Sequence, residues 1–183
     1  QGSQFKAMLA TNSKIEAIRY LEAFEELSDL NCAVVISPPD QREGHEVVDQ
    51  ESKDKVQRFW KRMMDRYGTP EKYEDAIKDE FVNGDELDLL IVVDKLLTGF
   101  DAPRATVLYV DKPMKEHTLL QAIARVNRLY EGKDYGLIID YRGLLDKLDE
   151  AMQMYSGAGL ENFDPEDLKG AIYDVISIIG SLR

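Results

Sequence analysis

The run Leu87-Asp88-Leu89-Leu90-Ile91-Val92-Val93 constrains the fold more than any other stretch of the chain, because it is apolar at almost every position rather than at alternate ones. A strand reads this way only when both of its faces are covered, which is the habit of parallel sheets with helices on either side. Other short apolar runs recur along the chain at Phe5 to Thr11, Cys32 to Ile36, Val107 to Val110 and Tyr135 to Ile139. Helical periodicity separates them. Ile15, Ile18, Leu21, Phe24 and Leu27 share one stripe of the segment from Lys14 to Leu30, and the spacing of Ser13 and Glu16 is that of a capping box. Two more helices are expected, from about Ser52 to Arg66 and from Thr69-Pro70-Glu71 to Gly84, with residues 40 to 51 an exposed acidic loop before them. A further helix runs from Glu116 to Tyr130, where Gly132 should stop it. The order β, α, β, α, α, β, loop, β, α, β predicts an α/β fold with a mostly parallel sheet and helices on both faces.

Composition sets limits on function. The 183 residues suit one domain with a small appendage, and 44% hydrophobic content is enough to bury a core. The formal charge of -12 argues against a general electrostatic binder of nucleic acid, which needs lysine and arginine in excess. Cys32 is the lone cysteine, so neither an intrachain disulfide nor a cysteine zinc site is expected, and a cytoplasmic setting is. No apolar run approaches the roughly 18 residues of a membrane span. The opening Gln1-Gly2-Ser3-Gln4 lacks both an initiator Met and a signal-peptide pattern, and residues 1–4 read as an added tail on a fragment. His45 and His117 have no companion ligands in sequence, and no metal role is assigned to them.

Two places concentrate polar chemistry. On an ideal helix turning about 100° per residue, Leu119, Ile123, Val126 and Tyr130 fall on one stripe, with Gln121, Arg125 and Arg128 on the opposite side. Planar guanidiniums in such a row match the oxygens of a phosphate. An ordinary solvated helix face would also look like this. The second place is Asp94-Lys95-Leu96-Leu97-Thr98-Gly99-Phe100-Asp101-Ala102-Pro103, which leaves the carboxyl end of the apolar strand, where open α/β sheets bind ligands. Gly99 permits close backbone approach, Thr98 supplies a hydroxyl, and Asp101 can accept from a sugar hydroxyl or hold an arginine. A plain turn ended by Pro103 is the alternative.

These residues resemble a known family. The stretch from Leu90 to Pro103 is similar to motif V of superfamily 2 helicases, and Gln121-Ala122-Ile123-Ala124-Arg125-Val126-Asn127-Arg128 to their motif VI. The wording Thr-Gly-Phe-Asp-Ala-Pro with Gln-x-x-Ala-Arg-x-Asn-Arg resembles the motor (R) subunit of type I restriction enzymes, in which Ala124 stands for the glycine of the wider superfamily. Ala7 to Ser13 resembles motif IV, a less specific match. The resemblance implies that residues 5–143 form the second RecA-like lobe of an ATP-driven double-stranded DNA translocase, with residues 144–183 a helical extension. It implies Arg128 as arginine finger, Arg125 and Gln121 also facing the γ-phosphate, Gly99 and Asp101 on the nucleotide side, and Thr98 with Thr11 or Ser13 on DNA phosphates. ATP and Mg2+ would be held mainly by a first lobe, because no Gly-x-x-x-x-Gly-Lys-Ser/Thr occurs here. The implied partners are double-stranded DNA, that first lobe, and the modification and specificity subunits of the restriction complex. The fragment alone should hydrolyse neither ATP nor DNA. A repair or type III restriction helicase, or a non-catalytic phosphate-binding α/β module, remains an alternative at this point.

Two further features stand outside the motifs. Lys55, Arg58, Arg62 and Arg66 share a helix face beside Phe59, Trp60 and Met63, which is either a strip for DNA phosphates or a solvated face diluted by Asp54 and Asp65. Leu168, Ala171, Ile172, Val175, Ile179 and Leu182 make an apolar stripe on a last helix.

Overall fold

The computed structural model describes residues 5–39, 49–97, 100–128, 130–133 and 135–144. The acidic stretch 40–48, Thr98 with Gly99, and the expected helical extension after Leu144 lie outside them. Five strands, β1 (Lys6–Thr11), β2 (Cys32–Val35), β3 (Leu89–Val92), β4 (Ala105–Asp111) and β5 (Leu137–Asp140), form one sheet in the order β2-β3-β1-β4-β5. Every pairing is parallel, and Leu9 of β1 stands between Ile91 of β3 and Tyr109 of β4. The helices are α1 (Lys14–Leu27), α2 (Gln50–Tyr67), α3 (Pro70–Asn83) and α4 (Glu116–Val126). This is the α/β order read from the sequence.

The pleat sorts the side chains into two cores. Met8, Ala10, Leu90, Val92, Leu108 and Val110 point to the face where α4 and Phe81 of α3 pack. Leu9, Val34, Leu89 and Ile91 point to the other, under Ala17, Ile18 and Leu21 of α1 and Val56 and Phe59 of α2. Adjacent positions of β3 feed opposite cores, which is why its sequence shows no alternation. The α2–α3 pair carries the chain around the outer strand β2. There the buried Tyr73 of α3 donates its hydroxyl to the Val34 carbonyl and covers part of an otherwise open edge.

Helix starts follow the sequence signals with small shifts. The Ser13 hydroxyl accepts from the Glu16 amide at 3.3 Å, but the Glu16 carboxylate accepts from Asn12 N–H at 3.1 Å rather than from Ser13. Thr69 caps α3 by accepting from Lys72 N–H at 3.2 Å. Helix α2 begins two residues early, because Asp49 accepts from both the amide and the hydroxyl of Ser52 at 2.8 and 2.9 Å. The largest departure is α4, which ends at Val126 instead of reaching Tyr130. Asn127 N–H closes the last turn on the Ile123 carbonyl at 3.1 Å, and its side-chain oxygen accepts from Gly136 N–H at 3.2 Å. Leu119, Ile123 and Val126 are buried as the stripe requires, whereas Tyr130 is 39% exposed.

Where the strands begin, three cations are buried without being isolated. The Lys6 ammonium donates to the carbonyls of Glu80 and Gly84 at 3.0 and 2.6 Å. Arg104 donates to the Gly84 carbonyl and to Asp85, both at 2.7 Å. Lys133 donates to the carbonyls of Pro103 and Ala105 at 3.0 and 2.7 Å. Burial pulls the Lys6 ammonium below its ordinary pKa and that of Lys133 down to about 8.

Candidate functional site

The two polar places of the sequence meet on one face of the sheet. From the carboxyl end of β3 the chain must return to the amino end of β4, so residues 93–104 travel the height of the sheet. Leu96 makes the turn with a φ of 68°, a left-handed conformation that costs a leucine energy. Leu96, Leu97, Phe100 and Ala102 are all buried in the α4-side core, so packing enforces the turn. Nothing in the residue type announces it.

Helix α4 starts beyond the carboxyl end of β4 and delivers the chain to the amino end of β5, so its last turn lies toward the amino edge of the sheet. There it meets the returning loop. Arg125 Nη1 donates to the Phe100 carbonyl at 2.5 Å, and its buried Nε has no hydrogen-bond partner among the described residues. Arg128, two residues past the helix, pairs with Asp101 at 2.7 Å; its side chain is 49% exposed and that of Asp101 60%. Gln121 is exposed one turn before Arg125. The sequence placed Asp101 in a loop at the carboxyl end of a strand. The structure carries Asp101 and the arginines away from that edge, because a parallel crossover has to bring the chain back.

The carboxyl edge keeps its own polar set. Lys112 bonds the Val93 carbonyl at 2.9 Å and pairs with Asp94. Asp111 accepts from the Tyr20 hydroxyl at 2.6 Å and pairs with Arg142 at 2.8 Å. Thr11 is fully buried and its hydroxyl donates to the Val92 carbonyl at 3.2 Å, so its side chain faces the sheet and not a ligand. Ser13 is half-buried and occupied in capping α1. Thr98 and Gly99 lie outside the described residues.

On α2 the arginines of the basic strip are exposed. Arg62 and Arg66 sit over the rings of Phe59 and Tyr67 at 5.3 and 5.1 Å, while Lys55 is tied to Glu22 at 2.5 Å. A groove of about 410 Å³ separates this helix from Cys32, Ala33 and Val34 of the edge strand.

Residues 3–143 match the family model described as type I restriction enzyme subunit R domain 3. The chain belongs to that family. Among relatives of this restriction-subunit domain, the putative type I restriction enzyme MjaVIIP endonuclease subunit of Methanocaldococcus jannaschii is 35% identical over 184 residues, 96% of this chain and 16% of that protein. The type I restriction enzyme HindI endonuclease subunit of Haemophilus influenzae is 46% identical over 92 residues, 49% of this chain and 9% of that protein. The restriction-subunit domain therefore spans a small fraction of the proteins it resembles. A solved structure described as the C-terminal part of the Fun30 ATPase domain aligns over 96% of this chain and 45% of its own, with a TM-score of 0.49 and 12% identity. Among the described residues no helix is long and apolar enough to cross a membrane, and no group of three or more His, Cys, Asp or Glu stands ready to hold a metal.

Proposed function

We propose that this domain is the second, RecA-like motor lobe of an ATP-dependent double-stranded DNA translocase within a type I restriction endonuclease subunit. One observation carries the reading: Arg128 presents a half-exposed guanidinium whose ion-pair partner among the described residues is the exposed carboxylate of Asp101, beside an Arg125 anchored on the Phe100 carbonyl. An ion pair between exposed groups is worth about 0–1 kcal/mol, so a phosphate can replace Asp101 at little cost. Arg125 differs from it. Its backbone anchor fixes the guanidinium plane, while the buried Nε is left without a hydrogen-bond partner among the described residues.

In this reading ATP with its magnesium, held mainly by the first lobe, supplies the phosphoryl group to be transferred. Closure of the two lobes brings Arg128 to the γ-phosphate, where its charge meets the charge that develops on the equatorial oxygens. Asp101 receives Arg128 back when the lobes part. Arg125 and Gln121 line the approach, and Gly99 belongs to the same nucleotide side. Contacts to the DNA backbone fall to Thr98 and to the exposed side of the Ser13 turn, since the Thr11 hydroxyl is turned inward. The modification and specificity subunits supply the recognised site.

Arg128→Ala in the complete subunit is expected to cut ATP turnover by about 10³-fold or more, the scale of a lost arginine finger, with DNA affinity kept. Turnover within threefold of the parent would refute the assignment.

A further inference from the structure

Arg128 stands in an irregular stretch after the end of α4, so the helix itself does not aim it. Its partner Asp101 is exposed, and in the proposed cycle that pair has to open. A second tie joins the same two segments a few residues further on. Tyr130 and Lys133 form an antiparallel bridge, with Lys133 N–H donating to the Tyr130 carbonyl at 2.9 Å and Gly132 at a φ of 75° closing the turn. From this closed turn the Lys133 side chain, in a residue only 6% exposed, reaches the carbonyls of Pro103 and Ala105. The two segments are thus joined as Asp101 with Arg128 in water, and as Pro103 and Ala105 with Lys133 under cover.

We propose that Lys133 is a positioning residue for Arg128, holding the segment after α4 against the 100–105 loop while the Asp101 pair opens and closes. The inference rests on the reading of Arg128 as the group that meets the phosphate. Its chemistry is suited to a fixed tie. A carboxylate partner would neutralise the ammonium through a single residue, whereas two carbonyls on residues 103 and 105 fix both the height and the direction of the turn. No carboxylate pairs with Lys133 among the described residues, and burial is the sole cause lowering its pKa. Lys6 provides the comparison within the same molecule. It is 3% exposed and its ammonium also holds two carbonyls, but those belong to Glu80 and Gly84 at the end of α3 and not to the loop that carries Asp101.

The test uses the complete subunit carrying Lys133→Met, Arg128→Ala, both together, or Lys6→Met, with kcat and KM for DNA-stimulated ATP turnover, residual single-turnover rates and melting curves. Lys133→Met is expected to lower kcat about 10- to 100-fold with KM for ATP within about threefold, the signature of a misplaced group rather than of lost binding. On the Arg128→Ala background it should lower the residual rate no further, because residues acting through one another are not additive. Lys6→Met should depress melting comparably and leave kcat within about twofold. If Lys133→Met does not fold, Lys133→Arg enters the same cycle, and its loss of rate must likewise vanish when Arg128 is absent. Unchanged kcat in the Lys133 variants, an equal loss on both backgrounds, or an equal loss in Lys6→Met overturns the proposal while leaving Arg128 in place. Normal turnover by Arg128→Ala alone overturns the finger and this inference with it.

Discussion

Gly136 sits where the chain passes beneath the end of α4, and a Cβ built on it would stand 2.2 Å from the Val126 carbonyl oxygen and 3.0 Å from Asn127 N. Both of those atoms are backbone, so relief requires moving the end of the helix that precedes Arg128. Gly136→Ala is therefore expected to destabilise the domain by about 1–3 kcal/mol, the range for overpacking, as measured by denaturant titration. Local wording made Arg125, Arg128 and Asp101 visible in the sequence, since the motif places them by spacing. Gly136, Lys133 and the left-handed Leu96 were invisible. Each owes its role to a segment distant in the chain: Val126 for the glycine, Pro103 for the lysine, and the α4-side core for the leucine. A buried lysine in particular reads in sequence as one more surface charge, because nothing local reports that two carbonyls await it.

Among the elements, α2 carries the test of nucleic-acid binding. Arg58, Arg62 and Arg66 remain exposed without a carboxylate partner among the described residues, two of them lying over aromatic rings. Replacing Arg58 and Arg62 by Glu in the complete subunit should reduce the slope of log affinity against log salt by about 0.9 for each DNA phosphate that the strip no longer neutralises. An unchanged slope would leave the strip as an ordinary solvated face. The strands and three of the helices were legible because apolar period and capping residues are local signals, as Thr69 and Ser13 show. Helix α4 was overread by one turn, since Tyr130 keeps the period that Leu119, Ile123 and Val126 set. Periodicity cannot register Asn127, whose side chain turns to Gly136 and ends the helix from outside it.

At the scale of the whole molecule, the net charge of -12 and the 16% share of a relative's length belong together. In the proposed reading, a lobe that meets its anions at a few local arginines has no need of a basic surface. The chain alone is expected to show no ATP hydrolysis, and mixing it with a first lobe that carries a Walker loop should restore DNA-stimulated turnover. A phosphate-binding module without catalytic function would bind nucleotide and restore nothing. A site shared between two lobes, as proposed, makes the order of events matter. Leu96 and Leu97 are buried on one side of residues 98 and 99, and Phe100 and Ala102 on the other. The leucine held at a φ of 68° cannot relax without drawing its side chain from the core. The flanks of the loop are consequently set in place when the domain folds, so the entropy lost in ordering them belongs to folding and adds nothing to the cost of any later association.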